Sequence, residues 1–256
     1  MSASPLKAWL EKDGGLLRLR LARPKANIVD GAMIAALHAA LREHLPGASL
    51  KAVLLDAEGP HFSFGASVEE HLPESCARML HDLHALILQI LGSPVPVLSA
   101  VRGQCLGGGL ELVSAGHLVF AAPDAKLGQP EIRLAVFAPA ASCLLPERIG
   151  QARAEELLFS GRSIGAEEAH RIGLVNVLAE DPEKAAISFF DEFIAPLSAS
   201  SLRFAVRAAR AGFLGRVSEK LAAVEKLYSE ELMATHDAVE GLNAFIAKRP
   251  PKWEGR

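Results

Sequence analysis

Residues 16–21 read LLRLRL, apolar and polar in strict alternation, which predicts a strand with one buried face. The runs KAVLLD at 51–56, VPVLSAV at 95–101 and HLVFA at 117–121 are more continuously apolar and predict strands covered on both faces. Between them, 31–44 and 75–91 show helical apolar spacing. A short Ala/Leu-rich turn follows the glycines at 107–109. Strands alternating with helices predict an α/β layout. From about residue 139 strand signals become rare. Helices are expected at 151–160, 166–172, 182–193, 200–211, 217–233 and 237–248. The pattern divides the chain into an α/β core over 1–195 and a helical region over 196–256, which is expected to be an oligomerisation arm.

Composition narrows this picture. A chain of 256 residues, half of them hydrophobic, suits one large domain, or one domain with an appendage, and excludes a disordered chain. Lys plus Arg total 27 and Asp plus Glu total 30, and the net charge of −3 argues against a general binder of nucleic acid or membrane surfaces. The three cysteines lie in no CxxC or CxxH pattern, so neither a zinc site nor a disulfide framework is expected. The opening MSASPLKAWLEKDGG has no apolar signal core. The most apolar stretch, 85–101, is cut by Gln89, Gly92, Pro94 and Pro96, too broken for a membrane span. A soluble, cytoplasmic protein is expected.

Three segments could carry chemistry. GQCLGGGLE at 103–111 follows a strand and opens a helix, leaving free N–H groups where negative charge is favoured. It is no Walker loop, because Gly109 stands where the lysine belongs, and its glycine spacing is wrong for a dinucleotide fingerprint. Tight helix–strand packing explains the glycines equally well. KLGQPEI at 126–132 sets Glu131 after Pro130 in apolar surroundings, where a surface carboxylate at a helix start is the plainer reading. HFSFGAS at 61–67 is a turn in which Gly65 permits an unusual backbone angle and Ala66 would present a bare N–H. All three follow core strands, where ligands collect in open α/β sheets. Together they offer two amides for an oxyanion and two carboxylates for proton transfer. His81 and His84 in HDLH read as a polar helix face, and Cys105 as a buried small hydrophobe.

Six segments in order resemble the enoyl-CoA hydratase/isomerase, or crotonase, superfamily. RPKANIV resembles its RPxxxN, FSFGASVEE its FxxGAD, LGGGLEL its LGGGxEL and KLGQPEIRLAVF its FGxPEIxLG. FSGRSIGAEEAHRIGLVNVL resembles its TGRxxxAxEAxxxGLVxxV, and AFIAKRPPKW its AFxEKRxP. The resemblance spans about residues 16–248. It implies an α/β, crotonase-like spiral of ββα units followed by a C-terminal helical trimerisation region, assembled as a homotrimer or homohexamer. It implies an acyl-CoA thioester substrate and no cofactor or metal beyond the CoA of that substrate. The oxyanion-hole amides would be those of Ala66 and Gly108, and the catalytic carboxylates Glu111 and Glu131. Lys25, Phe245 and Lys248 would meet CoA, the last two on a neighbouring subunit's ligand. Ala26, Phe64, Ser67, Gly107 and Phe137 complete the motif positions expected at the substrate.

Both glutamates are present, as hydration requires; isomerases of the superfamily often keep one. Two features depart from the common pattern. Ser67 replaces the Asp of GAD, and FAPAASCLL at 137–145 replaces a glycine-rich loop, which is expected to stiffen that loop and reshape the space around Glu131. Within the superfamily, FSFGASVEEHLP and LGQPEIRLAVFAPAASCLLPERIG most resemble hydratases of cyclic conjugated dienoyl-CoA thioesters, as in anaerobic benzoyl-CoA degradation. The alternatives are a short-chain enoyl-CoA hydratase, a Δ-enoyl-CoA isomerase, or one of the members that bind RNA or act as scaffolds. The near-neutral charge and the paired glutamates weigh against the last.

Overall fold

The computed structural model describes residues 4–256. The alternating run forms β2 (Leu16–Leu21), preceded by an edge strand β1 (Leu6–Glu11) that pairs with it antiparallel. Sequence pattern misses β1 because LKAWLE shows no clean alternation and half of it is exposed. Next come β3 (Ala52–Ala57) and β4 (Val97–Val101), both parallel to their neighbours. β5 (Gln104–Leu106), β6 (Leu118–Ala121), β7 (Lys126–Gly128), β8 (Ser163–Gly165) and β9 (Val177–Leu178) complete the strands. They form two sheets, one of order β1-β2-β3-β4-β6-β9 and a small one of order β5-β7-β8. A bridge between Ser63 and Cys105 continues the small sheet, and a second joins Val29 to Ala66. Successive turns of the chain therefore lay one strand in the large sheet and one in the small sheet, which makes a spiral.

Helices fill the turns: α1 (Gly31–His44), α2 (Cys76–Leu91) and α3 (Gly108–Ala115), then α4 (Pro139–Ile149), α5 (Gln151–Ser160) and α6 (Ala166–Arg171). α1 starts where the Asp30 side chain accepts from the Met33 amide at 2.9 Å. One sheet face packs Leu17, Leu19, Val53 and Leu55 with α1 and α2. The other packs Leu16, Leu54, Leu98 and Phe120 against α7 (Pro182–Phe189) and the π-helical turn Phe190–Ile194 that extends it.

β2 is a correction to its pattern, which predicts one solvated face. Arg18 is buried, with its guanidinium between Asp56, Glu11 and Glu183. A buried cation of this kind is tolerated because carboxylates and hydrogen bonds surround it. The C-terminal region also departs from expectation. Residues 200–211 and 217–233 are not separate helices, because α8 (Ala199–Lys226) runs straight through Gly212 and Gly215. Each glycine costs about 1 kcal/mol in a helix interior. Packing on α2 and α4 offsets it, helped by Arg216 on Glu147 at 2.6 and 2.8 Å and by Lys220 on the Ser142 carbonyl at 2.7 Å. A π-helical turn, Leu227–Glu231, then leads to α9 (His236–Ile246). Val217, Leu221, Tyr228 and Leu242 join the main hydrophobic core, so the C-terminal helices pack as part of it. No helix among the described residues is long and apolar enough to cross a membrane.

Candidate active site

The three motif segments meet where the small sheet ends, one strand later than the sequence suggests. The Ser63 carbonyl accepts from the Leu106 amide at 3.0 Å, and the Gly128 carbonyl from the Gly107 amide at 3.0 Å. These bonds hold the turns at 63–66, 107–108 and 129–131 side by side. Gly65 at φ +104° and Gly107 at φ +50° turn the chain as L side chains rarely do. A Cβ on Gly107 would also lie 2.6 Å from Glu131 Oε1, so glycine alone leaves room for that carboxylate. Ala66 and Gly108 lie side by side on the wall of one cavity, for a Cβ built on Gly108 would lie 3.2 Å from the Ala66 nitrogen. No acceptor among the described residues takes either N–H. The Gly108 amide also sits in the first turn of α3, where the helix dipole favours negative charge.

Glu111 stands one turn into α3 and is buried. Its Oε1 accepts from the Ala141 amide at 2.8 Å. That contact corrects the expectation for 137–145. The segment is no loop beyond residue 138, because Pro139 opens α4, a position where proline's missing N–H costs nothing. The Ala141 amide in α4's first turn holds Glu111, so the segment acts on Glu111 as well, while Phe137, Ala138 and Pro139 stand on the cavity wall with Glu131. Burial pushes the Glu111 carboxyl up to about 7, against the opposing amide hydrogen bonds. Burial, and then the charge of Glu111, push Glu131 up to about 8. No cation is among the causes for either. With its amide nitrogen turned inward, Gln129 donates to both Glu131 oxygens at 3.1 Å, and the reverse orientation suits a protonated Glu131. Gln129 is buried, and sequence reasoning missed it; its place in LGQPEI, two residues before Glu131, is the only signal it gives.

Both glutamates, both amide-bearing residues, Phe64, Gly107 and Phe137 line one cavity of about 350 Å³. Leu80, Leu83 and Val136 supply apolar wall. The enoyl-CoA hydratase/isomerase family profile matches residues 11–256. This chain belongs to that family. It is 71% identical over 255 residues to the cyclohexa-1,5-dienecarbonyl-CoA hydratase of Thauera aromatica, covering 100% of this chain and 99% of that protein. It is 33% identical over 217 residues to the mitochondrial methylglutaconyl-CoA hydratase of Rattus norvegicus, covering 80% of this chain and 68% of that protein. The crystal structure of an enoyl-CoA hydratase from Mycobacterium avium superposes with a TM-score of 0.85 at 26% identity, covering 98% of this chain and 100% of that one.

The remaining family motif positions divide. Phe245 lines the cavity of its own chain together with Leu242, which sequence reasoning missed; both project from α9 at a three-residue spacing. Ala26 accepts from the Phe64 amide at 2.9 Å and so shapes the mouth without lining it. Ser67 also stands off the cavity: its hydroxyl donates to Glu69 at 3.0 Å, and its carbonyl takes the Nδ1 proton of the cavity-lining His71 at 2.6 Å. Lys25 and Lys248 are exposed and outside the cavity wall. His84 corrects the polar-face expectation, since its side chain is buried and Nδ1 meets Glu225. No group of three or more potential metal ligands occurs among the described residues. Cys105 is fully buried, and burial pushes its thiol well above the usual range.

Proposed function

We propose that this chain adds water to cyclohexa-1,5-dienecarbonyl-CoA. The Ala66 and Gly108 amides bind the thioester oxygen, and Glu111 and Glu131 share the proton transfers. The observation that carries the reading is the pair of carboxylates held above their usual range beside two free amides, in a chain 71% identical throughout to a hydratase of that ester. At neutral pH such a pair keeps one proton, so one member is a base while the other is an acid.

The amides polarise the thioester, and each such donor is worth about 3 kcal/mol in the transition state. The ionised glutamate takes a proton from water as the oxygen bonds to the unsubstituted ring carbon of the first double bond, β to the thioester. The electron pair passes onto the thioester oxygen and through the second double bond to the far end of the diene. The protonated glutamate delivers its proton there. One double bond remains, conjugated to the thioester, and the product is 6-hydroxycyclohex-1-ene-1-carbonyl-CoA. One water is consumed and the glutamate pair ends with the same single proton. No cofactor takes part in these steps; CoA enters with the substrate.

The CoA moiety would pass Phe245, with Lys25 and Lys248 as cations for its phosphates. The exposed Phe159, Phe193 and Phe204 support a homotrimer or homohexamer, in which apolar surface of this kind would be covered. Incubation with cyclic dienoyl-CoA and with crotonyl-CoA, read by product mass, tests the reading. It predicts a gain of one water on the cyclic ester at the higher kcat/KM. Hydration of crotonyl-CoA alone would contradict it.

A further inference from the structure

α3 carries the Gly108 amide at one end, and its other end is unusual. Arg148, from the last turn of α4, donates to the Ser114 carbonyl at 3.2 Å and the Gly116 carbonyl at 3.0 Å. Arg210, from the middle of α8, donates to the Ala115 carbonyl at 3.2 Å and also to Gly116. Two guanidiniums thus close on three consecutive carbonyls. No carboxylate among the described residues lies within 4.0 Å of either guanidinium, although both are drawn partly out of solvent. Nε of Arg148 is enclosed without any partner. Burial lowers Arg148, and burial and then Arg148 pull Arg210 down to about 10. His117, at the same spot, accepts from the Val97 amide at 3.0 Å; burial and the two arginines hold it down to about 3, so it stays neutral.

Among the described residues, the negative end of the α3 dipole is therefore the only counter-charge in contact with the pair. α3 has eight residues and spans about 12 Å, so the cations lie close behind the reacting centre. α4 grips this helix twice, with the Ala141 amide on Glu111 and with Arg148 on the far end.

We infer that Arg148 and Arg210 are positioning residues for the reaction: they fix α3 by its carbonyl end and raise the positive potential at the Gly108 amide, where the thioester oxygen gains charge. The inference rests on the reading that Gly108 binds that oxygen. It ties the C-terminal helix α8, which contributes no group to the proton transfers, to the chemistry.

Substitution by Gln keeps a hydrogen-bond donor and removes the charge; substitution by Lys keeps the charge. Arg148→Gln and Arg210→Gln are each expected to lower kcat about tenfold, equivalent to about 1.4 kcal/mol, with KM little changed. Arg148→Lys and Arg210→Lys are expected to restore most of the loss. The second readout is the carbonyl stretching frequency of cyclohexa-1,5-dienecarbonyl-CoA bound in a Glu131→Gln background, which reports only folded, liganded protein. The Gln variants are expected to return it toward the free-ester value, and the Lys variants to keep it shifted. An unshifted response to Gln, or equal behaviour of Gln and Lys, would overturn the inference. Failure of the substrate reading looks different: a shifted carbonyl in the otherwise native protein, with no hydration.

Discussion

Between β2 and β3 of the large sheet, Asp56 meets Arg18 and Arg20, joined there by Glu183 of α7; in the cavity, no cation among the described residues pairs with Glu111 or Glu131, although Arg133 stands on the wall. The two places use the same side-chain chemistry to opposite ends. Burial alone would raise Glu183, but the hydrogen bond and charge of Arg18 outweigh it and hold that carboxyl below the usual range. In the cavity burial has no such opponent, and the second carboxylate adds to it. A carboxylate paired with guanidiniums, as Glu183 is, is held as an anion and serves structure. An unpaired one is poised to exchange a proton near neutral pH.

Removing a partner between β2 and β3 is expected to give the largest effect. Asp56→Ala removes the buried carboxylate that Arg18 and Arg20 share, leaving Arg18 only Glu11 and Glu183, and is expected to cost about 3 kcal/mol in denaturant unfolding. Little change in stability would break the comparison on its structural side. In the cavity the loss should fall on turnover instead. Glu111→Gln and Glu131→Gln are each expected to lower kcat about 10²-fold or more, while calorimetry still detects CoA-ester binding. Their stability effect has a definite sign. Both carboxyls sit above their unfolded values, so the stability they lend is fully present below about pH 4 and is lost as pH rises through about 7 and 8. The doubly substituted protein is therefore expected to gain on the native one as pH rises from about 5 to 8, by at most about 1.4 kcal/mol per pH unit for each carboxyl. A smaller change sharpens the contrast further. Gln129→Leu removes the neutral donor on Glu131 and is expected to lower kcat about tenfold and move the alkaline limb of the pH profile upward.

How much of this was legible in the sequence follows from the range of each interaction. The strands at 51–56, 95–101 and 117–121 are long and apolar, and each appears within two residues of its expected bounds. β5, β7 and β8 have three residues each, too few to show a period, yet they bring the site together. LLRLRL carries the right strand, but its burial depends on Asp56 and Glu183, far along the chain. Gly212 and Gly215 read as a break because their cost is local, whereas the packing that offsets it is not. The glutamates, the two amides and the glycines were legible because they lie in dense local motifs. Gln129, the Ala141 amide and Leu242 were not, because their roles exist only once separate turns of the spiral stack.

The account depends most on the protonation of the cavity pair, and infrared titration of the carboxyl bands measures it directly. With Glu111→Gln and Glu131→Gln as assignments, the account predicts a protonated carboxyl that persists at pH 7 and is half ionised at about pH 8, and a Glu131 that titrates lower once Glu111 is neutralised. Two carboxyls already ionised by about pH 5, the range of ordinary glutamates, would contradict it.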